Sequence, residues 1–183
     1  MSRYVLGIDQ STQGTKALLF DEEGTLICRT DLPHKQYINE KGWVEHDPEE
    51  IYANTLAVVK NLVEKAGINK NDLAVLGISN QRETAMVWNR TTGKPVYNAV
   101  VWQCARGVQI CEEIEKAGDA DMIRSHTGLQ LSPYFSAAKI AWVLKNVGGV
   151  QELADKGELC CGTIDSWLVY KLTGGKEFRT DYS

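Results

Sequence analysis

Residues 4–20 read Tyr4-Val-Leu-Gly-Ile-Asp9-Gln-Ser-Thr12-Gln13-Gly14-Thr15-Lys16-Ala-Leu-Leu-Phe20, and their pattern decides the fold. Two apolar runs, residues 4–8 and 17–20, flank a polar and glycine stretch that begins at Asp9, which predicts two strands joined by a turn. Asp9 then stands where a buried strand meets solvent. That place suits a carboxylate holding Mg²⁺ through water, because the ion keeps much of its hydration shell and takes few protein ligands. The turn offers the hydroxyls of Ser11, Thr12 and Thr15, Gly14 for close backbone approach, and Lys16 as a point charge. Together they suit the terminal phosphates of a nucleotide. Ordinary hairpin turns use the same residue types, so this stretch leaves both readings open.

Working outward, residues 21–24 form a turn and residues 25–30 a third strand, which gives an antiparallel meander. Residues 31–46 are polar and are expected to cross the surface, with Trp43 as an apolar anchor. A helix begins at Asp47 as N-cap, with Pro48 in the first helical position and Glu50 placed to close a capping box. Its inward face is Ile51, Thr55, Val58, Leu62 and Ala66, and Gly67 stops it. Residues 73–78 are almost continuously apolar, the pattern of a strand covered on both faces. A sheet that opens antiparallel and takes another strand after a helix is an α/β layer.

That strand ends in the polar run Ser79-Asn-Gln-Arg82-Glu83-Thr84. The carboxyl ends of buried strands are where open α/β sheets bind ligands. Arg82 and Glu83 read either as a ligand clamp, a charged fork beside an acceptor of hydroxyl protons, or as a solvated surface pair. Beyond them, residues 84–88 and 95–102 predict a hairpin. Helices follow over residues 105–117, 121–125, 135–147, 150–156 and 163–172, with a short strand at 159–162.

The 183 residues, 43% apolar and 24% charged, describe a globular chain of one ordinary domain or somewhat more. A net charge of −4 with the signs interspersed supplies no basic surface for nucleic acid or anionic lipid. No apolar run is long enough for a membrane span, and the N-terminus lacks a signal-peptide pattern. A cytoplasmic location is therefore expected. The five cysteines (Cys28, Cys104, Cys111, Cys160, Cys161) form no Cys-x-x-Cys pair and are expected to be reduced, with no structural zinc.

An ordered set of motifs then spans nearly the whole chain: residues 7–16; Gly42-Trp-Val-Glu-His-Asp-Pro48; Gly77-Ile-Ser-Asn-Gln-Arg-Glu-Thr84; Thr92-Gly-Lys-Pro95; Val101-Trp102-Gln-Cys104; Ser132-Pro-Tyr134-Phe-Ser136; Gly162-Thr-Ile-Asp165-Ser-Trp167-Leu168. In these the chain resembles the N-terminal part of the FGGY family of carbohydrate kinases, and within it the branch acting on glycerol. The resemblance implies a ribonuclease-H-like (actin and hexokinase type) α/β ATPase domain, with a mixed central sheet and helices on both faces. It also implies transfer of the γ-phosphate of Mg²⁺-ATP to a hydroxyl of a small polyol, most simply glycerol to glycerol 3-phosphate. Carried over residue by residue, Thr12, Gln13, Gly14, Thr15 and Lys16 match the family's phosphate-binding turn, and Asp9 the carboxylate near the metal. Arg82, Glu83 and Tyr134 match substrate contacts, and Trp102 lies near the same pocket.

The turn Ser11-Thr-Gln-Gly-Thr-Lys16 stands nearer the pentulose kinases, whereas Asn80-Gln-Arg-Glu-Thr84 belongs to the glycerol branch and decides for it. A pentulose kinase, a non-catalytic sugar sensor and a filament-forming relative are the alternatives. Family members are more than twice as long. Residues 1–183 are therefore expected to be an N-terminal domain whose C-terminal partner carries the catalytic aspartate and the adenine pocket. The isolated chain is then expected to be inactive as a kinase and, with an apolar wall uncovered, open to self-association as a homo-oligomer.

Overall fold

A computed structural model describes residues 3–182. In chain order the elements are β1 (Tyr4–Ser11), β2 (Gly14–Phe20), β3 (Leu26–Pro33), β4 (Gln36–Ile38), β5 (Val44–His46), α1 (Pro48–Ala66), β6 (Leu73–Asn80), β7 (Met86–Asn89) and β8 (Ala99–Val100). They continue with α2 (Val108–Ala117), α3 (Ala120–Thr127), α4 (Ser136–Asn146), α5 (Val150–Asp155), β9 (Leu159–Gly162) and α6 (Ile164–Leu172). The chain divides into two compact units, Met1–Gln36 with His46–Gln81, and Tyr37–Glu45 with Arg82–Ser183.

The first unit is a mixed sheet in the order β3-β2-β1-β6. The three leading strands are antiparallel, and α1 returns the chain so that β6 lies parallel to β1. Burial alternates along β1 and β2, although their sequences read as continuous apolar runs over residues 4–8 and 17–20. Leu6, Ala17 and Leu19 point inward and meet Val58 and Leu62 of α1 in one buried cluster. Each of the buried Leu and Val side chains contributes roughly 1.5–3 kcal/mol. Helix α1 buries Ile51, Thr55, Val58 and Leu62 and ends at Gly67, whose φ of 65° is the left-handed cap that glycine adopts without a Cβ clash.

Three expectations change here. The first two strands run through the polar residues to Ser11 and from Gly14, leaving only Thr12 and Gln13 as the turn; the ladder is made by the backbone, so polar side chains do not interrupt it. The capping box does not form: the Asp47 side chain accepts from the N–H of Glu49, and the Glu50 carboxylate instead accepts from the N–H of Lys35. Strand β6 is not covered on both faces. It is the last strand of its sheet, with Val75 56% and Leu76 42% exposed. Within this unit α1 packs mainly on β2 and β3, and of the apolar run only Leu73, at its start, packs against the cluster of Val58 and Leu62 among the described residues.

The second unit holds a three-stranded sheet, β4-β5-β8, and an antiparallel pair, β7 with β9. The segment expected to cross the surface thus contains two short strands, and Val101 N–H donates to the Val44 carbonyl at 3.1 Å. The predicted hairpin is present, with Trp88 opposite Pro95 and Ala85 opposite Val100. Val44, Val87, Val100, Val101, Val143 and Val150 form its core. Arg106 is buried at the edge of that core, its guanidinium 4.7 Å from the Trp43 ring centre and 4.5 Å from that of Trp142, and it is paired with Glu45. Burial would raise the Glu45 carboxyl, but hydrogen bonds from Arg106, Asn98 and Tyr97 outweigh it and hold the group below its usual range. The five cysteines are free, with Cys104, Cys111 and Cys160 buried.

Candidate functional site

The β1–β2 hairpin sets the first group of residues. Antiparallel register places Asp9 opposite Lys16, Gln10 opposite Thr15 and Ser11 opposite Gly14. Lys16 Nζ lies 2.8 Å from the Asp9 carboxylate, both side chains partly exposed. The Ser11 hydroxyl donates to the Gly14 carbonyl at 3.0 Å and tightens the turn. Thr12 is half-buried and Gln13 exposed. Strand alternation then separates residues that the sequence groups together. Thr15 is fully buried, and its hydroxyl oxygen has no hydrogen-bond partner among the described residues. Gly14 is glycine for a reason inside the sheet: an added Cβ would stand 2.5 Å from the Leu32 carbonyl oxygen of β3. The outward set at this hairpin is Asp9, Thr12, Gln13 and Lys16.

Behind the turn lies a buried polar network that sequence reasoning missed. Gln81 Nε2 stands 3.0 Å from Gln10 Oε1 and 3.1 Å from His46 Nδ1, while Gln10 Nε2 donates to the Ser11 carbonyl at 3.0 Å. An amide nitrogen only donates, so His46 Nδ1 is an acceptor and the ring is neutral. Burial, with His34 beside it, lowers the His46 pKa to about 4. His34 packs edge-on at 4.4 Å and neighbours the Thr12 backbone; burial lowers its pKa also, against the charge of Glu50. The sequence signals were Gln10, a polar residue at an inward strand position next to Asp9, and Gln81 in the polar run that ends the later strand.

The polar run that ends β6 and continues past it is divided by the fold: Ser79, Asn80 and Gln81 belong to the first unit, and Arg82, Glu83 and Thr84 to the second. In the second unit, Arg82 and Glu83 occupy a tight turn, and Glu83 has φ 61°, the only non-glycine residue with positive φ among those described. A side chain in that region costs about 1–2 kcal/mol, so the turn is held by its neighbours. Thr84 is buried, and its hydroxyl accepts from the N–H of Trp102 at 3.2 Å. Tyr134 reaches the same place from the loop before α4. Its hydroxyl is near enough to the Glu83 carboxylate and to Arg82 to feel both charges, and its ring lies 5.8 Å from that of Trp102 at 63°. Desolvation and then the Glu83 charge raise the Tyr134 phenol above its usual value.

Arg82, Glu83, Tyr134 and Trp102, from three separate stretches, are thereby brought together. Arg82 supplies donors, Glu83 an acceptor and Tyr134 both, beside two aromatic faces. That arrangement can hold adjacent hydroxyls on a short carbon chain. A cleft of about 260 Å³ flanked by Gly93 and Gly175 is lined by none of these residues. Its backbone N–H groups are used in turns, Gly93 to Asn89 and Gly175 to Tyr170.

No group of three or more metal-ligating side chains occurs among the described residues. Asp9 is a single, partly exposed carboxylate, which fits an ion that keeps several waters and takes one or two carboxylates.

The model of the N-terminal domain of FGGY carbohydrate kinases matches residues 4–183. Glycerol kinase 1 of Thermotoga maritima is 54% identical over 180 residues, 98% of this chain and 37% of that protein. The chain thus spans little more than a third of the length of such curated relatives. Among solved structures, Plasmodium falciparum glycerol kinase with ADP superposes with a TM-score of 0.87 at 37% identity, covering 95% of this chain and 35% of that one. A ligand-bound xylulose kinase of Lactobacillus acidophilus gives 0.78 at 20% identity, over 92% of this chain and 33% of that one, a likeness of fold alone.

Proposed function

The chain belongs to the FGGY family of carbohydrate kinases, and from that premise we propose that the protein carrying it transfers the γ-phosphoryl group of ATP to a hydroxyl of glycerol, giving glycerol 3-phosphate. The observation that carries the reading is the convergence of Arg82, Glu83, Tyr134 and Trp102. A triol presents hydroxyls on three carbons. Arg82 and Glu83 bracket two of them, Tyr134 adds a third polar contact, and the Trp102 indole covers the carbons. A site that pairs each hydroxyl rejects analogues lacking one far better than an apolar pocket does.

On the phosphate side, Thr12, Gln13 and Lys16 present donors and charge, and Asp9 would hold Mg²⁺ through water. Bound there, the ion would neutralise charge on the phosphates. Lys16 keeps Asp9 compensated and adds its own charge beside the turn. Phosphoryl transfer is mostly positioning and charge neutralisation, and these residues supply both. The general base that takes the hydroxyl proton is assigned to the part of the longer relatives that this chain does not span, as is the partner domain. The five free cysteines and the use of ATP agree with a cytoplasmic setting.

Turnover of glycerol, xylulose, ribulose and gluconate with Mg²⁺-ATP by the intact protein tests the reading. Glycerol is expected to be strongly preferred; preference for a ketose overturns the substrate assignment.

A further inference from the structure

Lys139 is a charge in an unlikely place. It stands on α4 between Ala138 and Ile140 with none of its surface exposed. A buried ammonium is costly unless its protons are matched and its charge is faced. It also lies near the positive end of a helix, the wrong end for a cation. Both costs are met from one direction. The side chain runs back toward the start of α4, as helical side chains do, and Nζ donates to the carbonyl of Tyr134 and, at 3.2 Å, to that of Phe135. Phe135, the N-cap of α4, has no side-chain cap hydrogen bond, so the lysine is a tether between the helix and the loop before it. The charged group facing it is Glu83, and the thiols of Cys104 and Cys111 complete its titratable surroundings.

We propose that Lys139 is a positioning residue of the polyol site. It fixes the main chain that presents Tyr134 and sets a positive charge behind Glu83, so that phenol and carboxylate stand together for adjacent hydroxyls. The inference rests on the assignment of Arg82, Glu83 and Tyr134 to polyol binding. Its chemistry also gives it a signature. Burial lowers the Lys139 pKa to about 8, with Cys104, Glu83 and Cys111 opposing the shift. The tether therefore carries its charge below that pH and loses it above.

The test uses the intact protein and follows KM for glycerol, KM for ATP and kcat between neutral and alkaline pH, in wild type, Lys139→Met, Lys139→Arg and Arg82→Ala. For wild type, KM for glycerol is expected to rise through an alkaline limb near pH 8, with KM for ATP flat. Lys139→Met is expected to raise KM for glycerol about tenfold, equivalent to about 1.4 kcal/mol, and to remove the limb. Lys139→Arg, charged throughout, is expected to restore low KM and carry it to higher pH. A wild-type KM for glycerol without an alkaline limb overturns the proposal even if the variants do not fold. A folded Lys139→Met with wild-type KM and limb overturns it while Arg82→Ala still raises KM. Wild-type kinetics in Arg82→Ala instead remove the polyol assignment on which it stands.

Discussion

Lys16 and Asp9 face each other across the β1–β2 pair, the ammonium nitrogen 2.8 Å from a carboxylate oxygen. Partly exposed ion pairs of this kind contribute about 0–1 kcal/mol to stability. Asp9→Asn is therefore expected to shift the denaturation midpoint little, while lowering kcat and raising the Mg²⁺ requirement of the intact protein at least tenfold. Thermal melts and Mg²⁺ titrations of turnover check the pair of outcomes. A large loss of stability with normal Mg²⁺ dependence would reassign Asp9 to structure.

The Arg106–Glu45 pair predicts the opposite balance. Its guanidinium is fully buried between Trp43 and Trp142, and Glu45 also accepts from Tyr97 at 2.8 Å and Asn98 at 2.8 Å. Removing one partner of a buried pair strands the other and costs roughly 3–5 kcal/mol. Glu45→Ala is expected to lose stability of that order in urea denaturation, and a loss below about 1 kcal/mol would contradict the buried-pair account.

His46 makes stability depend on pH. Burial lowers its pKa from 6.5 to about 4, so on acidification the unfolded chain takes up this proton first. The stability is fully present above about pH 6.5 and falls as pH drops toward 4, by about 1.4 kcal/mol per pH unit for each proton. His34, lowered in the same direction, steepens the slope. His46→Asn keeps an acceptor toward Gln81 without a titrating ring and is expected to flatten it in urea denaturation across that range. Equal slopes in the two proteins would remove His46 from the titration.

Glu83 carries its side chain on a left-handed backbone, φ 61°. Glycine there relieves about 1 kcal/mol of strain but adds freedom to the unfolded chain. Glu83→Gly is expected to leave stability within about 1 kcal/mol of wild type while raising KM for glycerol at least tenfold. Calorimetry beside steady-state kinetics separates the two. An unchanged KM would show that the strained turn serves folding alone.

Gly14 tests the close approach of β2 to β3. A Cβ 2.5 Å from the Leu32 carbonyl oxygen meets backbone that cannot move without disturbing the ladder. Gly14→Ala is expected to cost roughly 1–3 kcal/mol, read as a lowered melting temperature, and wild-type stability would mean the strands separate freely.

How much of the site was legible follows from distance along the chain. The Asp9–Lys16 hairpin and the Arg82–Glu83 turn were readable because each is a local pattern, a polar break against an apolar run. The meeting of Tyr134 and Trp102 with Glu83 entered only through resemblance, since no local rule joins residues 51 and 19 positions apart. Lys139 carried no signal at all, and His46 and Gln81 stood in motifs that did not reveal a buried network: each is a polar residue whose role exists only once a distant partner arrives.

The sequence by itself determined the meander, helix α1 between its caps Asp47 and Gly67, and the later helices, because periodicity, capping and turn chemistry act over a few residues, while its ordered motifs carried the family resemblance. Tertiary structure alone decided which polar residues face inward, that β6 ends its sheet with Val75 and Leu76 exposed, and that the run from Ser79 to Thr84 is divided between two units. The physical reason is that burial and charge compensation are properties of neighbours. The chain fixes which groups can pair, and packing selects which of them do.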